Sequence, residues 1–376
     1  MKTLDLVIPG LLGPFSADIC ENTPAHIHQQ LHEADFMELK KWLSKAQMQT
    51  NNYTRFFSTL VGLVANEIHL PDKKLSQCEL TARYDEIDTT SGFFYRADPV
   101  HFKAEADHAI LLGSALFLPE VNEMHKLINA FNQHFQEDGI CLHADNPHRW
   151  YLQTDRELNL KFNALDYSLG RDIKHFMPEG DDALWWRSIL NEAQMLFFQH
   201  DVNQLREDRG QLTINGLWLW DLCVEPAQAR AGEISQGASD SDKCKHGYQK
   251  IYIDNANNNK LDNAVVMALA ERVGEKCGHL PVELLSGQNT FETTSLAVVE
   301  QLYESVCYGD VDAWLEALRV FCCGYFSPLA EQLKTGGIDE INIYPCDGRV
   351  FKVNRGQLMK FWKPVKEIDF YFSVPE

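Results

Sequence analysis

Positive charge is scarce in this sequence. The 376 residues carry 34 Lys and Arg against 54 Asp and Glu, a formal net charge of −20 with histidine neutral. A field of that sign repels phosphate backbones and anionic lipid surfaces. We therefore expect no nucleic acid and no membrane among the partners.

Long apolar runs are also missing. The longest, residues 4–12 and 320–326, are far shorter than the roughly 20 residues that span a bilayer. The N-terminus has one lysine and an aspartate within its short apolar run, which makes a poor signal peptide but a good first strand. We therefore predict a cytoplasmic protein, whose ten scattered cysteines form no C-x-x-C pair and stay reduced.

Common enzyme signatures are absent as well. The sequence contains no G-x-x-x-x-G-K-[ST], no G-x-G-x-x-G, no G-x-S-x-G and no H-E-x-x-H. Nucleotide-binding, serine-hydrolase and zinc-protease interpretations therefore lose their usual support. What the chain does have is 45% hydrophobic residues, enough for one large core or two moderate ones.

The order of apolar patterns predicts an α/β protein. A strand at 4–8 leads through a Gly- and Pro-rich turn into helical patterns at 23–44 and 53–64. From 80 to 110 the pattern predicts short strands. A helix of about five turns then follows Pro119 and closes at Gly139, a strand lies at 149–152, and Asp181 or Asp182 caps a further helix.

The second half predicts a parallel strand pair. Residues 226–247 have almost no large apolar side chains and are predicted to form a flexible loop. Beyond them, a strand at 250–254, a helix capped by Asp262 and a strand at 280–285 have the order of a β-α-β unit. A long helical region at 310–333, interrupted at Pro328, leads into strands at 341–344 and 349–353.

A first group of candidate residues lies near the end of an apolar strand. The run Arg96-Ala97-Asp98-Pro99-Val100-His101 combines an arginine, a carboxylate and a histidine. Strand ends carry site residues in α/β proteins, and the arginine fork suits phosphate or carboxylate oxygens. The structural interpretation, an Arg–Asp pair that locks the turn before Pro99, is slightly preferred.

Two groups of histidines have spacings compatible with a metal. His28 and His32 share a helix face at i,i+4 and follow His26, while His143 and His148 lie on either side of Asp145. No spacing fixes a third ligand. A solvated helix face and a loop are therefore the preferred interpretations.

The segment 200–220 is the richest in polar residue types. It places a histidine, two asparagines and an arginine ahead of a strand in which Trp218 and Trp220 share one face. Two such rings are costly to expose. Core packing is preferred over a stacking platform for them.

This segment resembles the archaeal-type cofactor-independent phosphoglycerate mutases. That family carries a histidine-proline-valine-asparagine run, then an arginine, a glycine, an asparagine and a tryptophan-x-tryptophan strand. The matching positions here are His200, Asp201 in place of the proline, Val202, Asn203, Arg206, Gly210, Asn215, Trp218 and Trp220.

Across the whole chain the sequence is more similar still to the bacterial RpfE-type regulatory proteins, which are distant relatives of those mutases. The further matching runs are Arg96-Ala97-Asp98-Pro99-Val100-His101, Arg149-Trp150-Tyr151-Leu152, Gly170-Arg171, Trp186-Arg187 and Leu190-Asn191-Glu192.

The resemblance implies an alkaline-phosphatase-like core sheet flanked by helices. Residues 1–79 and 248–376 would form this α/β core, 80–225 an inserted α+β lobe, and 226–247 the loop between them. The mutases use two metal ions, bound by Asp and His, to activate a serine that carries the phosphoryl group. The residues at the ligand positions therefore decide between catalysis and binding.

Three of those positions depart from the family pattern. Pro9 stands at the first ligand position, Tyr308 at a histidine position, and Cys346 in a run without histidine. A thiolate site built from Cys307, Cys322, Cys323 and Cys346 is disfavoured, because adjacent cysteines point in different directions. The resemblance therefore implies a scaffold that has lost its metal pair.

We predict a non-catalytic regulatory or ligand-binding protein that recognises a small phosphorylated or carboxylated anion, with no catalytic residue, metal ligand or cofactor. One alternative is an active metal-dependent mutase or phosphohydrolase, which would bind divalent metal ions through residues such as Asp5, Asp18, His26 and Asp310. Another is a protein–protein interaction module with a regulatory protein partner. The predicted ligand-binding residues are Arg96, Asp98, His101, Arg149, Arg171, His200, Asn203, Arg206 and Asn215.

Overall fold

The computed structural model describes residues 2–14, 25–32, 36–68, 76–223, 248, 250–254, 263–272, 277–280 and 294–372. These residues form a mixed α/β structure of two compact units. The first unit comprises Met1–Pro71, Cys244–Asn258 and Leu269–Glu376, and the second comprises Asp72–Lys243 and Asn259–Ala268. The predicted loop at 226–247 and the predicted cap Asp262 lie outside the described residues.

Twelve strands and thirteen α-helices are found in the described ranges. The strands are β1 Thr3–Val7, β2 Gln47–Thr50, β3 Phe93–Ala104, β4 Ala109–Gly113, β5 Ile140–Asn146, β6 Arg149–Thr154, β7 Gly216–Leu222, β8 Lys250–Ile253, β9 Cys277–His279, β10 Ser295–Val298, β11 Glu340–Tyr344 and β12 Arg349–Asn354. The helices are α1 Ala25–Leu31, α2 Met37–Lys45, α3 Phe56–Ile68, α4 Gln77–Tyr84, α5 Val121–His134, α6 Leu165–Ser168, α7 Ala183–Gln199, α8 Asp201–Asp208, α9 Asn263–Arg272, α10 Tyr303–Cys307, α11 Val311–Phe321, α12 Ser327–Thr335 and α13 Arg355–Leu358.

The first unit is built on a seven-stranded sheet in the order β2-β12-β11-β1-β10-β8-β9. Strand β1 is parallel to both β10 and β11, and β8 is parallel to β10 and β9. A parallel β-α-β unit of β8, α9 and β9 is therefore present as predicted, but its second strand is Cys277–His279. The predicted strand at 280–285 lies beyond β9 and, from 281, outside the described residues. Strands β12 and β2 complete the other side in antiparallel pairing. As a result, the carboxyl ends of β1, β8, β10 and β11 lie along one edge, which we call the carboxyl edge.

The apolar pattern of these strands explains their position. Parallel strands covered on both faces read as nearly continuous apolar runs, as β1 and β10 do. One shared core holds Leu4 and Leu6 of β1 together with helix residues such as Trp314 and Phe326. The rings of Trp42 and Phe326 lie 4.6 Å apart within it.

The second unit contains a five-stranded antiparallel sheet. Its strands run in the order β4-β3-β6-β5, and β7 also pairs with β3. The helices α5 and α7 pack together, since the rings of Phe131 and Phe197 lie 6.5 Å apart. Phe197 also contacts Trp150 of β6, with ring centroids 6.4 Å apart. The long strand β3 lies in the middle of this sheet, so polar side chains on it can be buried.

Two sequence predictions for this unit were wrong in detail. The stretch around Leu80 is helical, because the Ser76 hydroxyl caps α4 by accepting from the backbone N–H of Glu79 at 3.2 Å. The helix after Pro119 ends at His134, and Gly139, at φ +68°, belongs to the connection that starts β5. Strand β5 was not predicted, because Pro147 favoured a loop in this stretch.

The predicted interruption at Pro328 was also wrong. The chain stays helical from α11 to α12 through one π-helical turn, Cys322–Phe326, and Pro328 lies in the first turn after it. A π turn adds one residue, which accommodates the proline ring and its missing N–H. Gly336, at φ +86°, then ends the helix as predicted. None of the helices in the described ranges has the length and apolar character needed to cross a bilayer.

Candidate functional site

Two charged residues of the predicted site lie side by side on β3. Arg96 and Asp98 are two residues apart, so their side chains share one face of the strand. The guanidinium Nη2 donates to both oxygens of Asp98 at 2.8 Å, and Nε donates to Oδ1 at 3.1 Å. Both residues are buried, with exposed fractions of 2% and 0%. The pair is therefore desolvated and depends on good hydrogen-bond geometry.

Neighbouring groups use the remaining hydrogen-bonding capacity of this pair. Asp98 also accepts from the backbone N–H of Trp150 at 3.2 Å and from the indole N–H of Trp220 at 2.8 Å. Nη1 of Arg96 donates to the Thr81 hydroxyl at 3.0 Å. Desolvation is the largest influence on the pKa of Arg96 and lowers it, but Asp98, Tyr151 and Cys78 together raise that pKa by more, so Arg96 stays charged.

Arg149, at the start of β6, forms a second buried ion pair. Its Nε donates to Oδ2 of Asp85 at 2.8 Å, and its Nη2 donates to Oδ1. The Tyr151 hydroxyl donates to the same carboxylate at 2.6 Å, and burial raises the pKa of Tyr151 well above its usual value. The guanidinium of Arg96 lies 5.5 Å from the centroid of the Tyr151 ring. The two pairs, Arg96–Asp98 and Arg149–Asp85, therefore form one buried ion cluster.

Arg206, on α8, is the third buried arginine. Its Nε and Nη2 donate to the Glu123 carboxylate at 3.0 and 2.6 Å. Nη1 donates to the carbonyls of Phe117 and Leu212 at 2.9 and 2.8 Å, and Nη2 also donates to the Leu118 carbonyl at 3.3 Å. All of its donor atoms are thus used within the protein. An anion would have to displace Glu123 to reach this guanidinium.

The two asparagines of the predicted site hold the connection 212–215 between α8 and β7. Nδ2 of Asn203 donates to the Ile214 carbonyl, and its Oδ1 accepts from the Ile214 N–H, both at 2.8 Å. Asn215 accepts from the Phe102 N–H at 2.7 Å and donates to the Phe102 carbonyl at 3.1 Å. Both amides therefore substitute for a strand neighbour where regular pairing ends.

The two histidines of the predicted site also contact the backbone. Nδ1 of His101 lies 2.8 Å from the Thr213 carbonyl oxygen. Because a carbonyl oxygen can only accept, the proton of the neutral ring is assigned to Nδ1. Desolvation lowers the pKa of His101 from 6.5, which favours the neutral ring. His200 caps α8, since its Nδ1 accepts from the Val202 N–H at 3.1 Å.

Arg171 differs from the other three arginines of the prediction. Its guanidinium lies over the rings of Tyr167 and Phe176, 4.5 and 5.6 Å from their centroids. Its side chain is half-buried, and no carboxylate of the described residues lies within ion-pair distance of it. Of the four guanidiniums, this one is best placed to meet an anion from solvent.

The structure thus divides seven of the nine predicted residues between two groups, and Arg171 and His200 belong to neither. One group is the buried ion cluster with Arg96, Asp98 and Arg149. Another surrounds the connection 212–215 and contains His101, Asn203, Arg206 and Asn215. The predicted Arg–Asp pair is present, but the predicted strand end and turn before Pro99 were wrong, because Pro99 lies within β3 and pairs with Leu217 of β7. The ligand-binding role of the nine residues stays a prediction.

Sequence reasoning missed the partners of the buried arginines. Asp85 and Glu123 neutralise Arg149 and Arg206 from 64 and 83 residues away along the chain. Asp221, at φ +45° in β7, accepts from the Ser76 hydroxyl at 3.0 Å and from the Cys78 N–H at 2.8 Å. No local spacing marks these acidic residues as partners of a distant group.

In the first unit, the positions that departed from the mutase pattern follow or flank the carboxyl edge. Pro9 follows β1, where the Ile8 N–H donates to the Tyr344 carbonyl at 2.9 Å. Gly10 has φ +81°, and a Cβ there would lie 2.7 Å from Cγ2 of Val306, so this turn packs directly on α10. Tyr308 ends that helix. Its N–H donates to the Glu304 carbonyl at 3.1 Å.

Cys346 follows β11 on the same edge. Its backbone has φ +69°, a conformation that side chains rarely adopt. Burial raises the pKa of the Cys346 thiol far above its usual value, so in the metal-free protein the sulfur is not a thiolate nucleophile. This edge therefore presents Pro9 and a neutral thiol at two positions where the resemblance implied metal ligands.

The carboxylates of the alternative ligand set are engaged elsewhere. Asp5 lies within β1, accepts from Asn342 Nδ2 at 2.7 Å and has its pKa raised by burial. Asp310 caps α11 by accepting from the Ala313 N–H at 2.9 Å, His26 lies 3.8 Å from exposed Asp312, and Asp18 is outside the described residues. In the ranges that the structure describes, no three His, Cys, Asp or Glu side chains come together at a metal-binding distance. The described donors do not fit a pair of metal ions.

The histidine groups flagged in the sequence also have other contacts. Nε2 of His143 lies 2.7 Å from Gln153 Oε1, and Nδ1 of His148 lies 3.0 Å from the Ser114 hydroxyl. His32 lies beside Glu367 at 3.3 Å, and the side chain of His28 is outside the described part of the chain.

His148 should make the second unit sensitive to acid. Desolvation, with a smaller contribution from Arg149, lowers the pKa of His148 from 6.5 to about 4. As the pH falls, His148 is therefore protonated in the unfolded chain at a higher pH than in the folded protein. The free energy of unfolding should decrease as the pH drops from 6.5 to 4. We expect a loss of about 2–3 kcal/mol, allowing for partial exposure of the ring. Urea unfolding at several pH values measures it.

The variant His148→Gln should unfold with a flatter pH dependence over that interval. The exposed His125 provides the matched control, because His125→Gln should leave the dependence unchanged. An equally steep loss of stability in His148→Gln would show that other groups cause it.

Comparisons with known proteins give a distant relationship. No family model matches the chain. A 2,3-bisphosphoglycerate-independent phosphoglycerate mutase of Methanothrix thermoacetophila is 35% identical over 66 residues, 18% of this chain and only 17% of that enzyme. A cofactor-independent phosphoglycerate mutase from Thermoplasma acidophilum aligns at 11% identity over 98% of this chain and 94% of its own, with a TM-score of 0.37. A Pyrococcus horikoshii protein aligns at 11% identity over 98% of this chain and 91% of its own, with a TM-score of 0.44. The chain is a distant relative of the cofactor-independent phosphoglycerate mutases.

Proposed function

We propose that this chain is a non-catalytic relative of the phosphoglycerate mutases, which binds a small phosphorylated or carboxylated anion and acts in regulation, as an RpfE-type protein. The first unit would be the alkaline-phosphatase-like core and the second unit its inserted lobe. We also propose that the protein is cytoplasmic and needs no cofactor.

One observation carries the proposal. The carboxyl edge, where parallel sheets commonly place their chemistry, presents Pro9 and the protonated thiol of Cys346 at two ligand positions. The nearby carboxylate of Asp254 is used on the backbone, since its Oδ2 accepts from the N–H groups of Glu300 and Gln301 at 3.1 and 3.2 Å. These groups favour binding without metal-assisted phosphoryl transfer.

Metal content and turnover separate this proposal from an active mutase. Protein purified without chelator should hold less than one equivalent of metal, and added Mn²⁺ or Co²⁺ should give no interconversion of phosphoglycerates. Stoichiometric metal together with turnover would replace the proposal by the enzyme alternative, in which divalent ions serve catalysis.

Anion binding has its own measurement. At a hundredfold excess over the dissociation constant, 3-phosphoglycerate should raise the melting temperature by about 3–7 °C, relative to sulfate at equal ionic strength. We expect Arg171→Gln to weaken the binding about tenfold or more, since it removes charge-assisted hydrogen bonds. Arg187→Gln, at an exposed arginine, is the matched control.

If no small anion raises the melting temperature and no turnover is found, the protein–protein interaction module is favoured instead. An unchanged shift in Arg171→Gln would move the anion site away from the predicted residues.

A further inference from the structure

The segment 359–366, just after α13, exposes neighbouring aromatic side chains. Phe361 and Trp362 are 87% and 69% exposed, and their rings meet edge to face with centroids 5.3 Å apart. Met359 is also 69% exposed. Contiguous apolar surface of this kind is unusual on a soluble protein and marks a contact site. We call this segment the basic aromatic loop.

The basic aromatic loop also carries positive charge. It contains three lysines, at 360, 363 and 366, and no Asp or Glu, while the following Glu367 pairs with the buried Lys40 at 2.6 Å and Arg349 is buried against Asp347. Partial burial and the neighbouring Lys360, Lys366 and Lys45 lower the pKa of Lys363. The ammonium groups of the loop therefore repel one another, and an anionic surface would relieve that repulsion.

Contacts with the end of α2 hold the loop in place. Lys45 donates from Nζ to the Lys360 carbonyl, and Lys363 donates from Nζ to the Ala46 carbonyl at 3.0 Å. The backbone N–H of Lys366 donates to the Ser44 hydroxyl at 2.7 Å. The aromatic rings are thus presented to solvent by an anchored turn, which lowers the entropy cost of binding.

We propose that the basic aromatic loop is a peripheral docking site for an anionic phospholipid surface. Phe361 and Trp362 enter the interface between headgroups and acyl chains, while Lys360 and Lys366 meet the lipid phosphates. Nothing in this docking requires a spanning helix.

The residue types favour a lipid surface over a protein partner. Cores of protein interfaces are enriched in aromatic residues, methionine and arginine and depleted in lysine, so the three lysines of the loop, not its rings, distinguish the two kinds of partner. Lysine stems with exposed aromatic neighbours are instead typical of membrane interfaces, where the ammonium group extends towards the headgroups. A ring that is 87% exposed, like Phe361, also stands out from the surface and does not line a groove.

The net charge of the whole chain argues in the opposite direction, but over a longer range. At physiological salt the Debye length is about 8 Å, so charges beyond the loop are largely screened from a surface that the loop contacts. Binding should therefore persist at physiological salt and fall as the lysines themselves are screened.

Co-sedimentation with sucrose-loaded vesicles tests the proposal. The protein should pellet with vesicles of phosphatidylcholine and phosphatidylglycerol, and far less with phosphatidylcholine alone. The double variant Phe361→Ser/Trp362→Ser should bind about tenfold or more weakly. Lys360→Gln and Lys366→Gln should each weaken binding by roughly 5-fold.

The double variant Met195→Ser/Phe198→Ser is the matched control, since these side chains on α7 are 64% and 69% exposed. It should bind vesicles like the wild type. Brominated lipid should quench wild-type tryptophan fluorescence more than that of Trp362→Phe, which places this ring in the bilayer. The aromatic and control variants should keep their melting temperatures, because the substituted residues are exposed. Lys360 is half-buried and the Lys366 Nζ lies 3.3 Å from the Phe370 ring centroid, so the melting temperatures of the two lysine variants are measured alongside their binding.

Failure of the wild type to pellet with the anionic vesicles would overturn the proposal, as would undiminished binding by the aromatic double variant. Concentration-dependent dimers that the same double variant abolishes, without vesicle binding, would assign the loop to a second copy of this chain.

Discussion

Replacing Asp98 by alanine is expected to lower the free energy of unfolding of the second unit by about 3–5 kcal/mol. The substitution leaves the guanidinium of Arg96 buried without its carboxylate, and it also removes the acceptor for the Trp150 N–H and the Trp220 indole. An unpaired buried charge is among the most costly defects a core can hold.

Urea unfolding followed by tryptophan fluorescence reports this change, since five of the eight tryptophans lie in the second unit. The exposed pair of Lys103 and Glu105, 2.7 Å apart, provides the control. Glu105→Gln should leave the stability unchanged, because exposed ion pairs contribute little.

A double variant distinguishes an uncompensated charge from simple loss of packing. Arg96→Met/Asp98→Ala removes both charges and should recover part of the stability lost in Asp98→Ala. If Asp98→Ala costs less than about 1 kcal/mol, the buried pair is not a structural element of this unit. If both variants unfold alike, the loss comes from packing and from the unpaired donors alone.

The elements that could be predicted from the sequence are those with a strong local period. The helix stripe through Met124, Leu127 and Phe131 gave α5, and the apolar run at 4–8 gave β1. The parallel pairing of β8 with the strand after α9 followed from element order, because a helix between two strands requires a crossover, but that strand was predicted at 280–285 instead of Cys277–His279. Helix α4 was missed because its eight residues mix polar and apolar types without a clear stripe.

The candidate site was harder to predict because its chemistry depends on distant partners. The sequence identifies Arg96 and Arg206 as candidate residues. It does not distinguish an arginine that binds a ligand from one that pairs with a buried carboxylate. Glu123 decides the matter for Arg206, and it lies 83 residues away. When two sequences have the same residue types at such positions, the match indicates a common scaffold just as well as a common ligand.

That distinction can be measured at Arg206, where the second large effect is expected. Arg206→Met should destabilise the second unit by about 3–5 kcal/mol, because it leaves the Glu123 carboxylate and three backbone carbonyls without their donors. Arg206→Lys keeps the charge but loses the planar fork, and should still cost about 2 kcal/mol. Arg209→Lys, at an exposed arginine just beyond the end of the same helix, should have no measurable effect.

The contact with Leu118 makes the cost of Arg206→Lys specific. Leu118 has φ +41°, a strained conformation for a leucine, and its carbonyl accepts from Nη2 of Arg206. A single ammonium group cannot reach this carbonyl together with those of Phe117 and Leu212. If Arg206 instead serves the anion, Arg206→Lys should leave the stability of the free protein unchanged and reduce only the melting-temperature shift with 3-phosphoglycerate. Loss of stability in the free protein, with the shift retained, would make Arg206 the clamp between α5, α8 and the connection 212–215.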